Sequence, residues 1–339
     1  MNENTMPVRS ASLVWATAVQ VGVTPVQLAS VSGLDPATFG DHLLRVPTES
    51  VWRIWELIQA GAGAGSGAGL LAAAQADRVG LHVWDYLFSS RADLAESLRT
   101  AMELRGVVTD PAVGWEVVED GGLLSIRCSV AVEPEPVLAL VEVFVLSVML
   151  RRVRAATREN LVPVRVRFTQ RPGASYAHLV DEFETRNIDF NAPHAEITFL
   201  DAGALPTGSD PRLGEVLSHY AELNLAAARP APSWHDKLRA AMHQSMAAGE
   251  LDLNNVARRL AISTRTLQRR LSEEGTTWRE EVAATRHQHA VDLLRDTALP
   301  VQSVAAKVGY NDARALRRAF QRWTGDTPDG FRRGMASGM

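Results

Sequence analysis

The chain has 339 residues, of which 46% are hydrophobic and 22% are charged. This composition is ordinary for globular proteins, and the length is sufficient for two domains with separate hydrophobic cores. The single cysteine, Cys128, excludes an intramolecular disulfide, and we expect it to be a buried thiol in a reducing interior.

The N-terminal region is predicted to mix helices and strands. The apolar stretch after Arg9 resembles a signal peptide, but polar residues interrupt it and it favours an amphipathic helix, so we expect a cytoplasmic protein. Strand-like alternation covers residues 114–132, with a turn at Asp120-Gly121-Gly122, and residues 163–170 and 195–202. We therefore predict an α+β domain over residues 1–227.

The most apolar segment of the chain runs from Val137 to Leu150 and is predicted to be a buried helix. Glu142 interrupts it, and its uncharged run is shorter than the ~20 residues that a membrane span needs. We therefore expect no membrane partner. The basic residues that follow, Arg151, Arg152 and Arg154, suit a helix C-terminus. This helix and the tryptophans Trp52 and Trp55 either line a pocket for a partly apolar ligand or belong to the core.

Residues 228–233 are predicted to be a linker because two prolines interrupt any continuous helix. Residues 234–339 are predicted to be all-α, with two helix-turn-helix units at about 253–273 and 301–323. Ser263 is a natural N-cap in the first unit, and Gly309 opens the turn of the second. Between the units, a linker helix at about 277–296 begins with a Thr277 to Glu280 capping pair and spans roughly 27 Å.

Polar residues on the second helix of each unit are predicted to face outward and contact DNA. In the first unit these are Arg265, Gln268 and Arg269, and in the second they are Arg314, Arg317, Arg318 and Gln321. Arginine and glutamine suit base edges and phosphates. Residues 251–334 contain 15 Arg/Lys against 10 Asp/Glu although the whole chain has a net charge of −4, so the positive charge is concentrated in this region.

The segment GYNDARALRRAFQRWTGDTPDGFRR resembles the signature of the AraC/XylS family of transcription regulators. The matching positions are Gly309, Tyr310, Arg318, Ala319, Phe320, Gly325, Pro328, Phe331 and Arg332. The resemblance implies that Arg265, Gln268, Arg269, Arg314 and Arg318 read bases in the major groove of a bipartite double-stranded DNA site. Arg317 is predicted either to contact phosphate or to be solvated surface. Leu316 and Ala261 depart from the family's usual Phe and Gly.

Residues from about Ser10 to Ala226 resemble the arabinose-binding-like N-terminal domain of one branch of this family. The implied fold is an α+β effector domain followed by an all-α domain with two helix-turn-helix units joined by a linker helix. The implied function is that of a transcription regulator, and we expect an activator. The resemblance also leads us to expect a small-molecule effector, a homodimeric state and contact with RNA polymerase.

Two alternatives to this function stay open. In the first, the N-terminal domain binds no ligand and serves only dimerisation or polymerase contact. In the second, the protein is an enzyme tethered to DNA, although the sequence has no HExxH, no G-x-x-x-x-G-K-[ST], no G-x-S-x-G and no cysteine-rich cluster. His287 and His289 are two residues apart on a helix and so diverge. We expect no metal, no cofactor and no enzymatic activity.

Overall fold

The computed structural model of the chain describes residues 4–62, 67–129, 135–173 and 176–336. The chain forms two compact units, Met1–Ala231 and Pro232–Met339. The described residues of the first unit form helices and sheets and those of the second form only helices, which confirms the predicted fold class. No described helix is both long and apolar enough to cross a membrane.

The first unit begins with a short strand and a cluster of helices. Its elements up to the central hairpin are β1 (Thr5–Pro7), α1 (Val8–Gln20), α2 (Pro25–Ala29), β2 (Leu44–Pro47), α3 (Thr48–Ala62), α4 (Ala68–Val79), α5 (Val83–Leu87) and α6 (Leu94–Glu103), with 3-10 turns at Pro36–Thr38 and Arg105–Val107. The elements that follow are β3 (Gly114–Asp120), β4 (Leu123–Ser129), α7 (Glu135–Thr157), β5 (Arg165–Arg167), α8 (Ala177–Phe183), β6 (Ile188–Asp189), β7 (Ala195–Leu200), α9 (Pro211–Ala227) and β8 (Arg229–Pro230).

The main sheet of the first unit has the strand order β3-β4-β7-β5-β6. The predicted hairpin is confirmed, because β3 and β4 pair antiparallel with Trp115 opposite Cys128. β7 lies antiparallel to both β4 and β5, whereas β6 runs parallel to β5. The predicted strand at 163–170 is shorter than expected, since only residues 165–167 have strand geometry.

The predicted apolar helix is confirmed as α7, and most of its apolar side chains are buried. Its basic end has a different role from the one expected. Arg152 forms ion pairs with Asp77 and Asp85, and Arg151 forms ion pairs with Asp77 and Glu182. These two arginines therefore join α7 to α4, α5 and α8, and only Arg154 lies in the last turn of the helix.

The segment predicted as a linker is partly fixed to the first unit. Arg229 and Pro230 form β8, which pairs parallel with β2 in a second sheet of order β1-β2-β8. The Arg229 side chain also forms an ion pair with Asp41. The boundary between the two units falls inside the predicted linker, after Ala231.

The second unit contains α10 (Trp234–Ala247), α11 (Leu253–Arg259), α12 (Thr264–Glu273), α13 (Trp278–Asp296), α14 (Val301–Lys307), α15 (Ala313–Thr324) and α16 (Pro328–Ala336). Two separate apolar clusters hold these helices together. The first joins α10, α11 and α12, and the second joins the end of α13 with α14, α15 and Phe331 of α16. The start of α13 contacts the first cluster through Trp278 and Val282, so this helix connects both cores.

Candidate nucleic-acid interface

The first helix-turn-helix unit consists of α11, a four-residue turn (residues 260–263) and α12. Asp252 caps α11, and Ser263 caps α12 by accepting a hydrogen bond from the backbone N–H of Thr266 at 3.1 Å, which confirms the predicted cap. Ala261 occupies the turn with φ +54°. The backbone N–H of Ile262 donates to the Ala257 carbonyl oxygen at 3.0 Å and closes the end of α11.

The orientation of α12 is set by two leucines. Leu267 and Leu271 are buried against α10 and α11, which leaves Arg265, Gln268 and Arg269 exposed on the opposite face. Arg269 lies 3.5 Å from Glu273, one turn further along, and both side chains are more than half exposed. Such a surface ion pair contributes at most ~1 kcal/mol, so it would exchange readily for a contact with DNA.

The second helix-turn-helix unit repeats this arrangement with α14 and α15. Gly309 occupies the turn with φ +79°, and the Tyr310 N–H closes the end of α14 on the Ala305 carbonyl oxygen at 2.8 Å. Asp312 caps α15 by accepting from the N–H of Ala315 at 2.7 Å. The side-chain oxygen of Gln302 accepts from the N–H of Ala313 at 3.1 Å and ties α14 to the start of α15.

Leu316, Ala319 and Phe320 bury one face of α15, and the four polar residues predicted to face outward are all exposed. Two of these four are occupied within the chain. The Arg317 guanidinium pairs with Asp329 of α16 at 3.1 Å, and the Gln321 amide donates to the Gly325 carbonyl oxygen at 2.7 Å. Sequence periodicity places both residues on the surface but gives no sign of these partners, which lie beyond the end of the helix.

The two helix-turn-helix units present their polar residues in the same register. Counted from the N-caps Ser263 and Asp312, the second, fifth and sixth residues of each helix are exposed and polar. These positions are Arg265, Gln268 and Arg269 on α12, and Arg314, Arg317 and Arg318 on α15. The fourth and eighth positions are buried on both helices. The chain therefore carries two geometrically equivalent basic surfaces.

The helix α13 joins the two helix-turn-helix units and is fixed at both ends. At its start, Thr277 and Glu280 form the predicted capping box. At its end, the Arg332 side chain donates to the carbonyl oxygens of Leu294, Thr297 and Leu299 at 3.3, 3.3 and 2.9 Å. Arg332 belongs to the C-terminal signature, but the sequence alone does not reveal this structural role because its acceptors are backbone atoms.

The two histidines of α13 have different neighbours. The His287 ring lies 5.0 Å from the Trp323 ring, and the His289 ring lies 5.9 Å from that of His243. Burial lowers the pKa of both imidazoles, and for His289 the neighbouring His243 lowers the pKa further. Both therefore favour the neutral form near pH 7. Among the residues that the structure describes, no group of three or more His, Cys, Asp or Glu side chains could hold a metal ion.

A second candidate site is an apolar cavity of about 110 Å³ in the first unit. Aromatic side chains from several elements line it, namely Trp52, Trp55, Trp84, Trp115 and Phe144. Cys128 also lines it, and the predicted burial of this thiol is confirmed. Burial raises the pKa of Cys128 to about 12, so the thiol is neutral. The structure thus brings four tryptophans and the apolar helix α7 to one cavity.

Comparison with known protein families connects both sites to gene regulation. The model of the arabinose-binding domain of AraC transcription regulators matches residues 22–205, and the model of a helix-turn-helix domain matches residues 256–334. Together these matches cover most of the residues that line the apolar cavity and both exposed basic helices. The first of them alone spans more than half of the chain.

Individual relatives match mainly over a limited part of the chain. The ornithine utilization regulator of Pseudomonas aeruginosa is 41% identical over 81 residues, 24% of each chain. The transcriptional regulator VirS of Mycobacterium tuberculosis is 27% identical over 137 residues, 40% of each chain. The match therefore covers well under two thirds of these relatives. The crystal structure of the regulator CdpR from Pseudomonas aeruginosa aligns over 95% of this chain and 98% of its own, with 19% identity and a TM-score of 0.43.

Proposed function

Because the chain belongs to the AraC family of transcription regulators, we propose that α12 and α15 read two successive major-groove segments of one DNA site. Like its family and its relatives, the chain is a DNA-binding regulator and not an enzyme. The observation that carries the bipartite reading is the equal register of the exposed polar residues on the two helices, counted from their N-caps.

The proposed contacts divide into base-reading and phosphate-binding residues. Arg265, Gln268 and Arg269 read one groove segment, and Arg314 and Arg318 read the next. Arginine fits the acceptors of guanine, and glutamine fits the donor and acceptor of adenine. Arg317 is assigned to phosphate, because its guanidinium turns towards Asp329 of α16 in the free protein.

The length of α13 agrees with this reading. Its 19 residues correspond to roughly 28 Å. Adding the width of the helices at its ends brings the separation close to the ~34 Å between successive major grooves on one DNA face. The fixed ends of α13, capped at Thr277 and held by Arg332, favour a constant separation of the two reading helices.

Selection from random duplexes tests this proposal. The full chain is incubated with a random duplex pool at two salt concentrations, and bound DNA is sequenced. We expect an enriched site with two short motifs about one helical turn apart, and an affinity that falls steeply as salt rises. Enrichment of a single motif would contradict bipartite reading, and binding without enrichment would contradict base reading altogether.

We further propose that a small molecule bound by the first unit controls DNA binding. The match to an arabinose-binding domain and the apolar cavity support this proposal. An effector can act only if it binds the two conformations of the regulator with different affinities. Operator affinity would therefore change on ligand addition, and a regulator without an effector would show no such change for any bound molecule.

An exposed apolar stripe on α9 supports the proposed homodimer. Leu213, Val216, Tyr220 and Leu223 are all more than 40% exposed and recur at intervals of three and four residues. This interval is that of a helix seam, and a second copy of the same helix offers the matching surface in a two-fold dimer. Val216→Arg should shift the protein from dimer to monomer in light scattering, whereas Val26→Arg, at an exposed valine of α2, should not.

A further inference from the structure

One residue of the first unit has a backbone conformation that a side chain disfavours. His82 has φ +62° and ψ −140°, which lies outside the left-handed α region and close to conformations that only glycine adopts readily. Strained residues of this kind are concentrated at functional sites of proteins. The His82 ring lies between two others, 5.4 Å from the His42 ring and 5.6 Å from the Tyr220 ring between centroids. The strain therefore marks the surface around this ring as a candidate site.

His82 lines an open cleft of about 340 Å³. This volume exceeds that of the apolar cavity described above, about 110 Å³, and that of an engineered cavity of about 150 Å³ that binds benzene. The exposed side chains of Val79, Tyr86 and Tyr220 form apolar parts of the cleft wall. Aromatic rings around a cleft of this size offer flat surfaces to a molecule with an aromatic body.

Arg9 brings a positive charge to the cleft that no carboxylate of the described residues neutralises. Its guanidinium donates to the carbonyl oxygens of Val79 and Gly80 at 2.9 and 3.4 Å, and the bond to Val79 is exposed to solvent. Within the part of the chain that the structure describes, Arg9 forms no ion pair. Carbonyl oxygens orient the guanidinium without cancelling its charge, so the cleft offers a fixed cation to an incoming molecule.

Two other titratable groups of the cleft leave this positive charge unbalanced. Asp85 lines the cleft, but its Oδ1 accepts from the Arg152 Nε at 2.5 Å and its Oδ2 accepts from the Leu81 N–H at 2.5 Å, so its carboxylate is engaged within the protein. Burial lowers the pKa of His82, and the nearby Arg9 lowers it further. His82 is therefore neutral near pH 7, and Arg9 sets the charge that a bound molecule meets.

We propose that this cleft binds a small aromatic carboxylate, with its ring against the tyrosines and its carboxylate on the guanidinium of Arg9. Arginine holds carboxylates through charge-assisted hydrogen bonds, which are stronger than those between neutral groups. The inference rests on the proposed function, in which a small molecule bound by the first unit controls DNA binding, and it adds a place and a chemical class for that molecule.

The position of the cleft connects a bound molecule to the last helix of the first unit. Leu217 and Tyr220 lie on α9, whereas Arg9 lies in the first turn of α1 and Tyr86 lies on α5. A molecule in contact with all three helices restrains α9 against the other two. Since α9 ends at Ala227 and β8 follows it directly, binding would act on the helix that precedes the boundary of the first unit. Tyr220 also belongs to the exposed stripe of α9, so the molecule would contact the edge of the proposed dimer seam.

Three molecules with the same two-ring body separate the contributions of charge and shape. The first, 2-naphthoate, carries a carboxylate, 2-naphthamide has an uncharged amide of similar shape in its place, and 2-naphthylmethylamine carries a positive charge. In calorimetric titrations of the full chain, we expect naphthoate to bind roughly two- to fivefold more tightly than naphthamide, the range that a solvent-exposed ion pair supplies. The amine should bind more weakly than both, because its charge meets that of Arg9.

Variants assign these contributions to individual residues. In Arg9→Met, which keeps a long side chain but lacks the charge, naphthoate should fall to the affinity of naphthamide, whereas Arg9→Lys should retain part of the preference. Arg53→Met, at an exposed position of α3 outside the cleft, is the matched control and should retain all of it. Tyr86→Ala should weaken naphthoate and naphthamide by the same factor, because it removes a wall that both contact.

His82→Gly supplies an independent check, because glycine adopts this backbone conformation without strain and the variant lacks the ring that lies behind Tyr220. Both naphthoate and naphthamide should bind it more weakly. Circular dichroism establishes that each variant is folded. No naphthoate binding at millimolar concentration, equal affinities of naphthoate and naphthamide, or an unchanged preference in Arg9→Met would overturn the inference.

These titrations contain no DNA, so their outcome is distinct from that of the duplex selection. Naphthoate binding without any enriched duplex would count against the proposed function and leave the assignment of the cleft in place. An enriched duplex without naphthoate binding would overturn this inference alone.

Discussion

The guanidinium of Arg286, in the middle of α13, lies over the ring of Tyr310 at 5.1 Å from its centroid. Tyr310 follows the turn glycine of the second helix-turn-helix unit, so this contact connects the linker helix directly to that turn. A cation over an aromatic face contributes about 0.5 to 2 kcal/mol, depending on how far it is removed from water. The contact thus holds the turn before α15 at a defined position relative to α13.

Replacing Arg286 by methionine should loosen the second helix-turn-helix unit selectively. Methionine keeps an apolar stem but removes the cation, so local opening of α14 and α15 should become more frequent. Hydrogen exchange measured by mass spectrometry should show faster exchange in α14 and α15. The peptides of α11 and α12 serve as the internal control, and equal acceleration there would contradict a local role for Arg286.

Substitutions at the two turn residues Ala261 and Gly309 should change the stability of the fold in opposite directions. Both have positive φ, a conformation that costs a residue with a Cβ roughly 1 to 2 kcal/mol. Ala261→Gly should therefore stabilise the first helix-turn-helix unit by roughly 0.5 to 1 kcal/mol, after the greater flexibility of glycine in the unfolded chain is counted. Gly309→Ala should destabilise the second helix-turn-helix unit. Thermal unfolding of the two variants measures both shifts, and shifts of equal sign would contradict the strain argument.

Single arginine substitutions should weaken DNA binding in two different ways. Arg269→Ala and Arg318→Ala should each cost about 1 to 3 kcal/mol and relax the base preference in one half of the site. Arg317→Ala should weaken binding equally on all sequences and reduce its salt dependence. Arg295→Ala, which removes the same charge from the exposed face of α13, is the control. Fluorescence anisotropy on the selected duplex measures these affinities, and unchanged preference in both base-reading variants would remove the assignment.

Glu142, buried in α7, should make the stability of the first unit depend on pH. Burial raises its pKa above the usual 4.5, although hydrogen bonds from Thr169 and Gln170 oppose the shift. The unfolded chain ionises first as the pH rises, so the stabilising contribution is full below the unfolded pKa and is lost as the pH rises through the folded pKa.

Glu142→Gln should remove this loss. The difference in melting temperature between Glu142→Gln and the unmodified protein should therefore grow in favour of the variant from pH 4 towards neutral pH. Glu103→Gln, at an exposed position of α6, should show no such trend. A constant difference across the pH range would mean that Glu142 does not titrate between the two states.

Local signals explain why the second unit was largely predictable from the sequence. The caps at Ser263 and Thr277 depend on residues three positions apart, and Leu267 and Leu271 share one helix face by spacing alone. The exposure of Arg265 and its equivalents follows from the same spacing. Their roles as base contacts stay a prediction, because no spacing states which surface meets DNA.

The parts that escaped prediction depend on contacts between distant segments. Arg152 is a helix-end residue by sequence, but its partners Asp77 and Asp85 are brought to it by the folding of α4 and α5. β8 has only two residues and acquires its strand conformation from β2, far earlier in the chain. The cavity likewise combines Trp115 with side chains from α3 and α7, and pairing across so many elements leaves no periodic trace.

The attachment of β8 to β2 leaves a short connection between the last strand of the first unit and the first helix of the second. The Ala231 N–H still donates to the Arg45 carbonyl oxygen, and Ser233 already caps α10, so Pro232 is the one residue between these two fixed points. Such a connection reaches only ~7 Å even when extended, and proline restricts its rotation further. A substitution that breaks the pairing of β8 with β2 would therefore release Arg229 and Pro230 into this connection and lengthen it.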